Sequence, residues 1–272
     1  MGKLENRVAI VTGASRGIGA WIARRFAAEG AGVAIVARTE RAEDSKLPGT
    51  IRDTLDTIVG QGGRAHAIRA DITRPEDRRR VVAETEAHLG PVDILVNNAA
   101  LTIFRTVERF DARRYQLMFD VQVWAPFELC QLVLPGMRER GRGWILNVTS
   151  KAGIHPSGPP FQAWSKSGHT VYGMCKAALD RFTTGLAAEC YDAGVAVNSL
   201  GTGGLVVTPG TNLLGFDPEA MKNLVEPPEC MPEAALILCT GEPRELTALI
   251  VYSEEFLAER GVKPRPIDAR PA

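Results

Sequence analysis

Tyr172 and Lys176 stand four residues apart in a segment of helical pattern, so their side chains share a face. A free phenol titrates near pH 10. A neighbouring ammonium favours the phenolate, and a phenol tuned in this way can give or take a proton near neutrality. No other Tyr in the chain has a Lys four positions later. Ser150 ends the run Asn147-Val148-Thr149-Ser150, where its hydroxyl could orient a substrate oxygen or simply close a strand. Upstream lies Thr12-Gly13-Ala14-Ser15-Arg16-Gly17-Ile18-Gly19. Gly13, Gly17 and Gly19 let a backbone turn sharply and approach an anion, and a following helix offers free N–H groups to a pyrophosphate. A plain strand-to-helix turn would use the same residues.

These residues need elements to hold them. Strand-like runs fall at Val8–Val11, Val33–Ala37, Ala65–Arg69, Ile94–Val96, Trp144–Val148, Val195–Leu200 and Ala248–Tyr252. Helical patterns fall at Ile18–Ala28, Thr50–Val59, Pro75–Leu89, Ala112–Met137, Tyr172–Asp192 and Glu233–Cys239. Thr73 is the expected cap of the helix at Pro75. Pro126 and Pro135 should kink or divide the long central helix. Strands alternating with helices imply an α/β fold: a doubly wound parallel sheet, helices on both faces, three layers. Turn-rich segments at Arg38–Gly49, Ile154–Thr170 and Gly201–Pro218 each follow a strand, where such a sheet places its ligand.

Composition narrows the partners. The 272 residues carry 32 Lys plus Arg against 32 Asp plus Glu, so no excess charge points to nucleic acid or an anionic membrane. Hydrophobic residues make up 45 %, enough for a core. No run approaches the roughly 18 apolar residues of a membrane span, and Met1–Arg7 lacks the apolar stretch of a secretory signal. Five scattered Cys without CxxC spacing fit reduced thiols in a cytoplasmic protein, and four dispersed His give no metal site. Residues 1–262 are expected to form a single domain, with the proline-bearing 263–272 as a loosely packed, flexible tail.

The glycine octet, Asp71 after the third strand, Asn97-Asn98-Ala99-Ala100 after the fourth, and Tyr172-Gly173-Met174-Cys175-Lys176 together resemble, in order, the motifs of the short-chain dehydrogenase/reductase family. The resemblance could run from residue 6 to about residue 255. It implies a Rossmann fold and a nicotinamide dinucleotide. Gly13, Ser15, Arg16, Gly17, Ile18 and Gly19 would form the phosphate turn, with Asp71 and Ile72 at the adenine. Asn98, Ala99 and Ala100 would line the site, and Tyr172 and Lys176 would reach the nicotinamide ribose. Members preferring NAD carry an acidic residue after the second strand, where this chain has Ala37 and Arg38. Arg16 and Arg38 would suit a 2′-phosphate, which predicts NADP(H); as solvated surface groups they would predict nothing.

The same resemblance implies an oxidoreductase acting on a small carbonyl or secondary alcohol, assembled as a homo-oligomer (dimer or tetramer). Tyr172 would be the general acid/base, Lys176 would lower its pKa, and Ser150 would hold the substrate oxygen. The family's central-helix Asn is replaced by Gln122, which could hold a shifted water or weaken the proton relay. Asn198-Ser199-Leu200-Gly201-Thr202-Gly203 is similar to the family's Asn-Ala-x-x-Pro-Gly, with Gly203 retained and Thr208 expected near the carboxamide. The interval from Ser150 to Tyr172, 22 residues, is longer than the family commonly shows. Its Phe161 and Trp164 could wall a bulky substrate or lie on a plain surface loop. Leu179 stands where an enoyl reductase would have its Lys. A non-catalytic NADP(H)-binding sensor or assembly protein, its site degenerate at Gln122, is the alternative from another class.

Overall fold

Val-, Ile- and Ala-rich runs with no polar alternation form strands covered on both faces. In the computed structural model, which describes residues 2–212 and 222–271, β1 (Val8–Thr12), β2 (Gly32–Ala37), β3 (Arg64–Arg69), β4 (Ile94–Asn97), β5 (Gly143–Val148), β6 (Val195–Gly201) and β7 (Ile250–Tyr252) pair in parallel. Their order is β3-β2-β1-β4-β5-β6-β7. The register is continuous; Val8 faces Gly32 on one side of β1, and Ala9 faces Ile94 on the other.

The connections carry α1 (Gly17–Ala28), α2 (Ile51–Gly60), α3 (Pro75–Leu89), α4 (Ala112–Phe119), α5 (Ala125–Glu139), α6 (Thr170–Cys190), α7 (Pro209–Asn212), α8 (Cys230–Leu238) and α9 (Ser253–Glu259). One face of the sheet packs Ile22, Phe26, Ile51, Ile58, Leu236 and Phe256 from α1, α2, α8 and α9. The other packs Val81, Leu129, Val133 and Leu186 from α3, α5 and α6. Each such side chain removed from water contributes about 1.5–3 kcal/mol. The expected doubly wound, three-layered α/β sheet is the observed one.

Several local expectations change. Thr73 does not cap α3: the cap is Arg74, without a side-chain bond, and Pro75 supplies the preset first turn. The Thr73 N–H and hydroxyl instead donate to Asp71 Oδ1 at 3.1 and 2.8 Å. Pro135 lies inside α5 without ending it. The central run is divided ahead of Pro126 by a wide π turn, Asp120–Trp124, which carries Gln122. A wider turn absorbs the missing proline N–H and its ring without breaking the helix. Taken whole, Ala112–Glu139 is long and apolar enough by length and composition to cross a membrane, contrary to the sequence expectation. Its Leu129, Cys130, Val133 and Met137 are buried against the sheet flank.

The segment after Val262 is tied down, not loose. Arg25 is fully buried in α1 and donates to Glu29 at 2.7 Å, Glu233 at 3.0 Å and the Ala269 carbonyl at 3.1 Å. Arg265 reaches the same Glu29, and Arg24 pairs with Asp268. Composition suggested a free end because prolines carry no packing signal; charge pairing across the whole chain holds it.

Removing one partner of a buried ion pair leaves the others uncompensated. Arg25→Ala should lower unfolding stability by about 3–5 kcal/mol in urea titrations. Truncation after Val262 should also lower the urea midpoint, whereas a loose tail would leave it unchanged.

Candidate active site

The chain leaves β1 toward α1 and β2 on one side, while β4 leads to β5 on the other, so a crevice opens at the carboxyl ends where the order reverses. The turn after β1 presses against the turn after β4. Gly13 has φ 68°, and a Cβ there would lie 2.8 Å from the Ala99 Cα. A Cβ at Gly19 would lie 2.4 Å from Asn98 Nδ2. Thr12 stitches the two turns together. Its hydroxyl accepts from the Asn98 and Ala99 N–H groups at 3.0 and 3.1 Å and donates to the Val96 carbonyl at 3.3 Å. Asn98 donates from Nδ2 to the Thr12 carbonyl at 2.8 Å, so its amide braces the glycine turn. No side chain caps α1 and no acidic residue stands in its first turn, which leaves the helix opening to an anion. Thr208 lies beside this turn: a Cβ on Gly17 would come within 3.1 Å of its methyl.

Arg16 arches over the turn. It donates to the Gly49 carbonyl at 2.6 Å and to the Ser45 hydroxyl at 3.2 Å. Burial, and then the like charge of Arg38, hold its guanidinium below its ordinary pKa. Neither arginine pairs with a carboxylate among the described residues. Two cations left this close without an acid partner suit an anion. Asp71 is held by its turn with Thr73, and the buried Ile72 offers its carbonyl to Arg78 at 2.5 Å. Ala100 is exposed at the crevice edge.

β5 and α6 bring the reacting groups together. Lys176 is buried and donates from Nζ to the Val148 carbonyl at 2.8 Å. That ammonium lies 5.5 Å from the centroid of the Tyr172 ring. Burial pushes Lys176 down to about 8, against the pull of Cys175 and Asp180. Burial likewise pushes the Tyr172 phenol above its ordinary value, against the hydroxyls of Ser150 and Thr102. Burial outweighs the two hydroxyls at the phenol, and the Lys176 ammonium is engaged by a carbonyl. Ser150 Oγ accepts from the Ala152 N–H at 3.2 Å. Burial raises the Cys175 thiol to about 11, so it stays protonated and acts as packing.

Gln122 comes to this site from the π turn. Its Nε2 donates to the Leu101 carbonyl at 3.0 Å, while Oε1 is buried with no partner. An open buried acceptor is where an ordered water would sit. Rings from two segments meet beside the site: Phe104, from the segment after β4, lies 4.1 Å from His169 and 5.7 Å from Tyr172, and Trp164 of the long loop lies 5.4 Å from His169. Phe161 and Trp164 are exposed.

Sequence reasoning missed a buried chain beneath the site. Asn97 donates to Asn147 at 2.9 Å, Asn147 to Thr183 at 2.9 Å, and Thr183 meets Ser199 at 2.9 Å. The available signal was a polar residue within the carboxyl-terminal half of each apolar strand, Asn97, Asn147 and Ser199. No group of three metal-ligating side chains occurs among the described residues.

The pattern of the family described as short chain dehydrogenase matches residues 7–215. A short chain dehydrogenase of Pseudocercospora fijiensis is 36% identical over 204 residues, which is 74% of this chain and 60% of that relative's length. A solved short chain dehydrogenase from Mycobacterium thermoresistibile superposes with a TM-score of 0.82 at 34% identity, covering 95% of this chain and 89% of its own. A metagenomic short-chain oxidoreductase in complex with NADP superposes with a TM-score of 0.72 at 26% identity, covering 92% of this chain and 99% of its own.

The buried ammonium predicts a pH dependence. Its value of about 8 lies below the ordinary 10.5, so the folded state releases this proton first. Below pH 8 both states hold the proton and the full penalty stands. Between pH 8 and 10.5 the penalty lifts as pH rises, by about 3 kcal/mol in total. The stability of the natural protein relative to Lys176→Met, from urea unfolding without nucleotide, should therefore climb across that window; a flat difference contradicts it.

Proposed function

The chain belongs to the short chain dehydrogenase family, and on that premise we propose that it is an NADP(H)-dependent oxidoreductase interconverting a carbonyl and a secondary alcohol. The observation that carries this reading is the convergence of Ser150, Tyr172 and Lys176 beside a glycine turn with no room for a Cβ at Gly13 or Gly19. The cradle, the uncapped α1 and the open Gln122 acceptor fit a dinucleotide and its water.

When bound, the reduced nicotinamide supplies the hydride. Ser150 Oγ orients the substrate oxygen. Tyr172 gives its phenolic proton to that oxygen as the alcohol forms and takes it back in the reverse direction. Lys176 spends one donor on Val148 and keeps two for the nicotinamide ribose and the phenol side. With its pKa at about 8 it carries its charge at pH 7, where a developing phenolate needs it. Gln122 Oε1 accepts from a water that links Lys176 to solvent. Arg16 and Arg38 take the 2′-phosphate, Arg38 from an exposed position without a carboxylate partner among the described residues and Arg16 from its perch on Gly49. By likeness to the family the chain works as a dimer or tetramer on a small-molecule substrate. No feature of the site favours a non-catalytic role, because Gln122 keeps an amide bond and a free acceptor.

Tyr172→Phe should cut turnover of a ketone panel by about 10²–10⁴-fold while NADPH still binds, read by nucleotide fluorescence. An active Phe variant would overturn the mechanism. Arg38→Asp should shift the ratio of NADPH to NADH affinity toward NADH by about tenfold or more. Tighter NADH binding in the natural protein would refute the cofactor choice.

A further inference from the structure

Lys151 directly follows Ser150, and the mechanism above makes no use of it. Its Nζ donates to the Gly203 carbonyl at 2.6 Å and to Glu255 Oε1 at 2.6 Å. The ammonium also lies 5.2 Å from the centroid of the Tyr252 ring. The next peptide is held by a different segment: the Gly204 N–H donates to Glu226 Oε2 at 3.0 Å. Glu226 is buried, and Ser253 shares its hydroxyl between Glu226 Oε1 and the Gly201 carbonyl. Beyond it, the Leu205 N–H donates to the Leu224 carbonyl at 2.6 Å, and the Glu226 N–H returns to the Leu205 carbonyl at 2.9 Å.

Gly201–Leu205 is thus gripped by groups from after β5, from Leu224–Glu226 and from α9. The grip is close. A Cβ at Gly203 would lie 2.6 Å from Glu255 Oε2, and one at Gly204 would lie 2.3 Å from the Leu224 carbonyl. Glycine-rich backbone loses the most conformational freedom when ordered, so such a stretch needs restraint from outside itself. A cation bonded to both a carboxylate and a carbonyl supplies it through charge-assisted bonds.

We propose that Lys151 is a positioning residue that, opposite Glu226, presets the Gly201–Leu205 strand end as the seat of the nicotinamide half of the dinucleotide. The proposal rests on the dinucleotide reading above. It requires that loss of Lys151 loosen this strand end before any nucleotide arrives, and that the adenosine half of the site, built on Gly13–Gly19 and Arg38, stay as it was.

The test compares the full-length natural protein with Lys151→Met and Lys151→Arg. Amide hydrogen exchange is followed without nucleotide, and affinity is measured for NADPH and for 2′,5′-ADP, which carries the phosphorylated adenosine and no nicotinamide. In Lys151→Met, exchange at Gly204 and Leu205 should quicken about tenfold and NADPH affinity should fall about tenfold. Affinity for 2′,5′-ADP should hold within about twofold. Lys151→Arg should restore most of both changes. Should the Met variant not fold, Glu255→Gln, which keeps the lysine and the side-chain shape, should move the same readouts in the same direction. Unchanged NADPH affinity, or equal weakening of both nucleotides, overturns the proposal. Failure of the natural protein to bind either nucleotide overturns the dinucleotide reading instead, and the exchange data then report on the strand end alone.

Discussion

The whole carboxyl edge of the sheet depends on how closely the turn after β1 approaches the turn after β4. Side-by-side parallel strands whose connections leave in opposite directions open a crevice there, and the crevice is usable only if backbone forms its walls. Gly13 and Gly19 allow that: a Cβ at either would collide with Ala99 or Asn98. Thr12 and Asn98 then lock the approach through reciprocal bonds between hydroxyl, amide and backbone. With these partners satisfied, the opening of α1 is left to an anion, and Arg16 stands at that opening, close enough to Arg38 to feel its charge, neither with a carboxylate partner among the described residues.

The second constraint is a buried charge. Lys176 sits in the interior with the Val148 carbonyl as its hydrogen-bond partner, and burial makes its charged form costly. Tyr172 is shifted by the same desolvation in the opposite sense, toward its neutral form. Burial thus penalises the charged form of both groups, although Lys176, at about 8, still carries its charge at pH 7. A site of this kind becomes competent when ligand oxygens replace the lost solvent, a requirement that ties proton transfer to occupancy. The floor beneath is rigid because Asn97, Asn147, Thr183 and Ser199 pass hydrogen bonds from β4 through β5 and α6 to β6.

The remaining architecture serves those two constraints through distant pairings. Lys151 and Glu255 join the loop after β5 to α9, and Glu226 with Ser253 grips the end of β6 from the opposite side. Farther out, Arg24 and Arg25 recruit the chain end onto α1. The wide turn Asp120–Trp124 carries Gln122 inward, with its amide donating to Leu101.

Alternating apolar runs gave the sheet class from the sequence by itself, and the spacing of Gly13, Gly17 and Gly19 with Tyr172 followed by Lys176 pointed, by resemblance, to the family. Those signals are local: strand and helix periodicities and glycine conformations are set within a few residues along the chain. The tertiary structure alone decided the rest. It placed Val148 as the acceptor of Lys176, made burial the larger influence on Tyr172, put a π turn ahead of Pro126 where a proline break was expected, moved Thr73 from helix cap to Asp71 partner, and anchored Asp268 on Arg24. Desolvation and charge pairing depend on which groups meet once the sheet has closed. The partners here lie 28 residues apart for Lys176 and Val148 and 244 apart for Arg24 and Asp268, far beyond the reach of any local pattern.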